Sequence, residues 1–149
     1  MIFQLLAMVV LGLMCGSELN VAAFAHPTLN RQPLEAHILV RSSFAGLLGR
    51  VMPFWMSAST LLNLLLLLPF VHLSELAWRF AAIAFAIQVL AVMFSLVAPV
   101  PINNRIARWT PTSLPNDWKV QESRWDLYHW LRTGSLIAAF VMLTMSARA

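Results

Sequence analysis

The chain has 149 residues, of which 60% are hydrophobic and only 11% charged, and its mean hydropathy is +0.74. A soluble domain carries roughly 25% charged residues, so this balance excludes an ordinary soluble fold and makes lipid the expected solvent. The net charge of +4 does not mark a nucleic-acid binder, because eight of the ten Lys and Arg lie in two segments, 31–50 and 105–132. The positive-inside rule places both segments on the cytoplasmic side of a membrane.

Hydropathy predicts four transmembrane helices, over about residues 2–25, 51–71, 76–98 and 131–147, since about 20 apolar residues span a bilayer core. The first carries Glu18 and Asn20 toward its end and is expected to stop at Pro27, because His26 before a proline is biased away from helix. Gly12 and Gly16 form a small-xxx-small pair that lets a neighbouring helix approach closely. Cys15, the single cysteine, reads as a small packing residue, and no internal disulfide can form. "VAAFA", ending at Ala25, has the look of a signal-peptidase site. No basic residue precedes the apolar run, however, and Glu18 would fall inside the leader, so the run is read as a retained helix.

Pro33 suits a first helical position, and Glu35 sits near the positive end of the helix dipole. Over residues 34–50 the apolar Leu34, Ile38, Phe44, Leu47 and Leu48 recur at helical spacing. This pattern predicts an amphipathic helix at the membrane surface, with Pro53 as the bend into the second span. Ser74 is placed to cap the third helix, which Pro99 and Pro101 should end. Pro111 and Pro115 keep the backbone irregular until the last helix, polar over about 115–130 and apolar beyond. The expected fold is an all-α integral membrane four-helix bundle in the cell (inner) membrane, termini outside and both basic loops cytoplasmic.

The polar residues of the last helix form a pattern. Trp118, Glu122, Trp125, His129 and Arg132 recur at steps of four, three, four and three, which is one helical face. An interfacial belt explains indoles and a snorkelling Arg at this depth. A ligand site explains a carboxylate, an imidazole and a guanidinium on one seam. A carboxylate inside a span costs roughly 2.5–3.5 kcal/mol on insertion scales, so Glu18 needs a partner, supplied by Arg50, Arg132 or His129. His26 lies about 80° from Glu18 on an ideal helix, close enough to border the same cavity. Asn63 and Gln88 fall near the middles of the second and third spans, where amides bond to each other or floor a pocket. Asn103 and Asn104 stand at the mouth, either as a capped loop or as uncharged donors to a phenol or carbonyl.

"VPINNRIARW", then "DW", then "RWDLYHWLRT" resembles the closing signature of a membrane family of unknown function that includes the anthrone oxygenases. The likeness rests on Pro101, Asn103, Asn104, Trp125, His129, Leu131, Arg132 and Thr133. It implies a four-helix membrane bundle and, in the characterised branch, oxidation of an anthrone to an anthraquinone by dioxygen without metal or flavin. That chemistry asks for a base, oxyanion donors and flat apolar walls. By residue type His129 fits as base, with Glu18 beside it; Asn103, Asn104 and Arg132 fit as donors, and Trp125 and Trp118 as walls. Glu122, His26 and Asn63 complete the expected substrate contacts.

No cofactor is expected. Haem, needing one axial His, is the rival, while zinc spacing and a nucleophilic Ser or Cys motif are absent. The other class of function is a non-enzymatic membrane protein that binds a lipid, a quinone-like molecule or a protein partner, including a homo-oligomer.

Overall fold

The apolar runs fold into five helices in a computed structural model that describes residues 2–149. They are α1, Ile2–Leu29; α2, Leu34–Leu66; α3, Glu75–Val97; α4, Pro99–Ile106; and α5, Trp118–Ser146. Among the described residues there is no strand beyond one isolated bridge between Thr110 and Ser113. Helices α1 and α3 each pack against α2 and α5, and short α4 touches α2, α3 and α5. Gln4 Nε2 donates to Ser146 Oγ at 3.2 Å and Ser74 Oγ to the Ala149 carbonyl at 3.2 Å, so both chain ends and the α2–α3 turn share one end of the molecule. The α1–α2 turn, α4 and the start of α5 lie at the other.

The two ends differ in what they bury. Toward the chain termini the core is aliphatic, built from Leu11, Met14, Met56, Leu66, Leu136 and Leu143, with Ala81, Ala84 and Ala139 letting helices close up. Toward the opposite end Trp109 and Trp125 pack with Val21, Ile38 and Ile106 beside a group of buried polar side chains. Two helices, α1 and α3, are long and apolar enough to cross a membrane.

Four sequence expectations change. First, α1 does not stop at His26 but runs on to Leu29, because Val21–Ala25 form a π turn in which the His26 N–H bonds to the Val21 carbonyl. This looser turn shifts the hydrogen-bond register just before Pro27 and re-aims the residues that follow. Second, α2 is one 33-residue helix through Pro53, so the surface helix over 34–50 and the second span are one element. Third, its first half buries polar side chains alongside apolar ones. Leu34 and Leu47 are exposed while His37, Ile38, Arg41 and Ala45 are buried; the polar side chains turn inward because acidic residues of α5 meet them there. Fourth, α3 ends before Pro99 as expected, but Asn103 and Asn104 lie on a short helix and not in a capped loop, with Pro99 in the first turn of α4, where its missing N–H costs nothing.

Ser74 caps α3 as expected, its Oγ accepting from the Ala77 N–H at 3.1 Å. Ser74→Ala should lower stability by about 1 kcal/mol while Ser74→Asp retains it, measured by thermal unfolding of the detergent-solubilised protein.

Candidate functional site

Glu18 is the partner problem of α1, and α5 solves it. Arg132 Nε donates to Glu18 Oε2 at 3.0 Å, and Arg132 Nη2 to Oε1 at 2.9 Å and Oε2 at 2.8 Å. The carboxylate is 2% exposed and the Arg 7%, so the pair is buried and two-pronged, the geometry in which a buried ion pair repays its desolvation. His129, one turn before Arg132, completes the cluster. Its Nε2 lies 3.0 Å from the Glu18 carbonyl and its Nδ1 3.0 Å from Arg132 Nη2. A carbonyl only accepts and a guanidinium only donates. The ring therefore carries its proton on Nε2 and offers its Nδ1 lone pair to Arg132. Glu18 Oε2 waits 3.3 Å from that same Nδ1. Arg50, the other expected partner, is exposed and bonds to the Gly46 carbonyl.

A second polar cluster adjoins the first. Arg41 Nη2 donates to Asp126 Oδ1, and its Nε lies 3.6 Å from Glu122 Oε1. His37 Nε2 meets Glu122 Oε1 at 2.6 Å while its Nδ1 meets the Leu29 carbonyl at 2.9 Å. His37 thus ties the end of α1 to Glu122 of α5. His26 Nδ1 lies 3.1 Å from Asp126 Oδ1. Burial pushes the Asp126 carboxyl up, but the His26 bond and the Arg41 guanidinium outweigh it and hold the group below its ordinary range. Trp125 joins the clusters: its ring stacks on His129 at 4.7 Å between centroids and 13° between planes, and Arg41 Cζ sits 5.1 Å from it.

The inner cluster walls a cavity of about 280 Å3, near the lower end of the roughly 300–1,000 Å3 typical of small-molecule sites. Glu18, His129, Arg132, Asn103, Asn104 and Trp125 all border it, so six of the expected site residues do converge. Its other walls are mostly aliphatic, including Val21, Met52, Met56, Val92 and Leu96. Gly49 and Pro53 also border it. Pro53 has no N–H to offer the Gly49 carbonyl four residues back, and a Cβ on Gly49 would meet Asn103 Nδ2 at 2.8 Å. The bare glycine lets Asn103 approach α2 and donate to the Ala45 carbonyl at 2.9 Å.

Four expected residues lie elsewhere. Trp118 packs on His37 and Trp109, and Glu122 belongs to the outer cluster. His26 borders a separate space of about 80 Å3 with Asp126 and His129, because the π turn changes its direction relative to Glu18. Asn63 is fully buried in the aliphatic half with neither side-chain polar atom bonded. It does not pair with Gln88, which faces Ser59, one turn earlier on α2, and accepts from its Oγ at 3.0 Å. Sequence reading missed His37, Arg41 and Asp126. The signal was present: His37 and Arg41, like Glu122 and Asp126, are four apart, so each helix offers a two-residue polar patch to the other. Among the described residues no three His, Cys, Asp or Glu side chains converge as a metal site.

The model of the anthrone oxygenase family matches residues 41–142, from Arg41 through the whole polar stripe of α5, and the chain belongs to that family. No curated protein and no solved structure matches it.

Removing either partner of the inner pair strands a buried charge. Glu18→Leu and Arg132→Met should each cost about 3–5 kcal/mol, and the double variant should regain part of that loss, read by chemical unfolding in detergent. Asp126, with its pKa depressed by folding, contributes stability that is present above its ordinary value of 3.8 and is lost as pH falls toward the folded-state value. Asp126→Asn should lower the melting temperature at pH 7 and flatten its decline below pH about 4.

Proposed function

We propose that this chain is an integral membrane oxygenase that takes a flat, lipophilic, anthrone- or quinol-like aromatic into the cavity and oxidises it with dioxygen, without metal, flavin or haem. The observation that carries the reading is the buried Glu18–His129–Arg132 cluster at the wall of an otherwise aliphatic cavity. Family membership supports the class of reaction. The setting is a bilayer crossed by four spans, with the chain termini outside. Large apolar side chains exposed on all four long helices support it, such as Phe24, Phe54 (79%), Val97 (76%) and Leu131. The cavity is bordered by exposed Gly49, Pro53 and Ser57 on α2 and by exposed Leu96 and Asn104 on α3 and α4. At 1.5 Å per residue this is a slot about 12 Å long, open sideways to lipid.

The chemistry follows from the substrate. An anthrone CH2 between two aromatic rings is acidic, and its carbanion can reduce dioxygen directly. His129 Nδ1 takes the proton, exchanging its bond from Arg132 for one to Glu18 Oε2. The positive charge so created faces a carboxylate and a substrate anion, so the step needs no charge from outside. The negative charge spreads onto the substrate oxygen. Arg132 spends Nε and Nη2 on Glu18, leaving Nη1 for that oxygen, with Asn103 and Asn104 beside it. One electron passes to dioxygen; the carbon radical and superoxide then combine into a C–O bond. The resulting peroxide recovers the proton from His129. Loss of the second hydrogen from the same carbon, with cleavage of the O–O bond, leaves the ketone and water. Anthrone and dioxygen thus become anthraquinone and water.

Purified protein supplied with an anthrone should consume one dioxygen per anthraquinone formed. His129→Ala should lower the rate by roughly 10²–10⁴-fold, whereas Leu131→Ala, an exposed neighbour on another face, should match the wild type. Binding of anthraquinone with no oxygen uptake by the wild type would instead make this a lipophile-binding membrane protein. Gly49→Ala displaces Asn103 and should raise the KM for the anthrone by up to about tenfold, the equivalent of one hydrogen bond.

A further inference from the structure

An oxygenase needs a place for dioxygen beside its organic substrate, and the outer polar cluster contains one. A small space of about 10 Å3 is bordered by His26, Arg41, Asn103 and Trp125 and by the apolar Phe44, Ala45, Leu48 and Ile106. Leu48, Asn103 and Trp125 border the main cavity too, so the two spaces share a wall. Its size is at the bound for one water-sized molecule, roughly 10–15 Å3.

Two buried donors belong to this wall. Arg41 Nη1 and Trp125 Nε1 have no hydrogen-bond partner, although the two residues are 2% and 5% exposed. Buried donors are nearly always satisfied, and an unsatisfied one calls for a missing partner. The rest of the guanidinium is committed, Nη2 to Asp126 and Nε toward Glu122. An added small anion would therefore meet a free guanidinium N–H and an indole N–H, with His26 also at the chamber wall.

We propose that this chamber is the dioxygen site of the reaction, where Arg41 and Trp125 hold the superoxide formed when the substrate carbanion gives up one electron. The assignment rests on the oxygenase reading of the main cavity. Dioxygen is neutral and gains little from a guanidinium; the charge develops as the electron arrives, so the two donors stabilise the product of electron transfer more than its reactants. The carbanion becomes a carbon radical and dioxygen becomes superoxide; the superoxide then leaves its two donors for the main cavity, where the pair combines into the C–O bond with no further oxidant.

The test is the initial rate of anthrone oxidation as dissolved dioxygen is varied, using full-length protein in detergent. Trp125→Phe removes the indole N–H while keeping a ring against His129, and Arg41→Lys keeps the charge while changing the donor geometry. Both should lower kcat/KM for dioxygen, by roughly 10- to 100-fold for a lost donor to a charged oxygen, and Arg41→Lys, which lies outside the main cavity, should leave anthraquinone affinity unchanged. Arg41→Gln should lower it further; should that variant fail to fold, Trp125→Phe alone decides. An unchanged kcat/KM for dioxygen in both first variants overturns the proposal and leaves an ordered water in the chamber. Weakened anthraquinone binding without a dioxygen effect overturns it too, by making Trp125 a wall alone. A wild type that consumes no oxygen with any anthrone removes the oxygenase reading itself, and this site with it.

Discussion

The ion pair between Glu18 and Arg132 is the constraint from which the rest of the site follows. A carboxylate two-thirds of the way along an apolar helix must be neutralised, and the two-pronged guanidinium contact, at 2.8–3.0 Å, does so from one direction only. That sets the rotation of α1 against α5. Once it is set, His129, one turn back, falls on the Glu18 carbonyl and on Arg132, and both its nitrogens acquire defined roles. An apolar seam would have packed these helices equally well, but it would not have held an imidazole with a fixed tautomer at the edge of a cavity.

The outer cluster repeats the logic with a second pair of helices. His37 and Arg41 on α2 meet Glu122 and Asp126 on α5, and Trp125 bridges the clusters through its contacts with His129 and Arg41. This explains why the first half of α2 turns His37 and Arg41 inward while Leu34, Leu39 and Leu47 face outward. Burying a guanidinium is unfavourable unless acceptors surround it, and here Asp126 and Glu122 do. Chemistry gathers at one end because the other end is packed with small and aliphatic side chains that leave no room for it.

Backbone irregularities shape the space between the clusters and the lipid. The π turn in α1 separates His26 from the cavity that holds Glu18. Pro53 and Gly49 weaken one turn of α2 at the cavity wall, and the bare glycine admits the Asn103 side chain of α4. Each is a local departure from helix that borders or redirects a functional group, the situation in which such departures are worth their cost in stability. Family membership alone does not fix an activity; these contacts define the site at which one would be built.

Composition and periodicity determined that the chain is helical and apolar, that Ser74 begins a helix, and that Glu122, Trp125, His129 and Arg132 share a face, because these depend on spacing along one element. Glu18 as a group in need of a partner was legible for the same reason. Which cation would answer it, and that His37 and Arg41 would turn inward, depended on the rotation of one helix against another, which no single helix encodes. The continuity of α2 through Pro53 and the direction of His26 were likewise decided in three dimensions: neighbouring helices can hold a proline within a turn, and one extra residue in a π turn redirects everything after it.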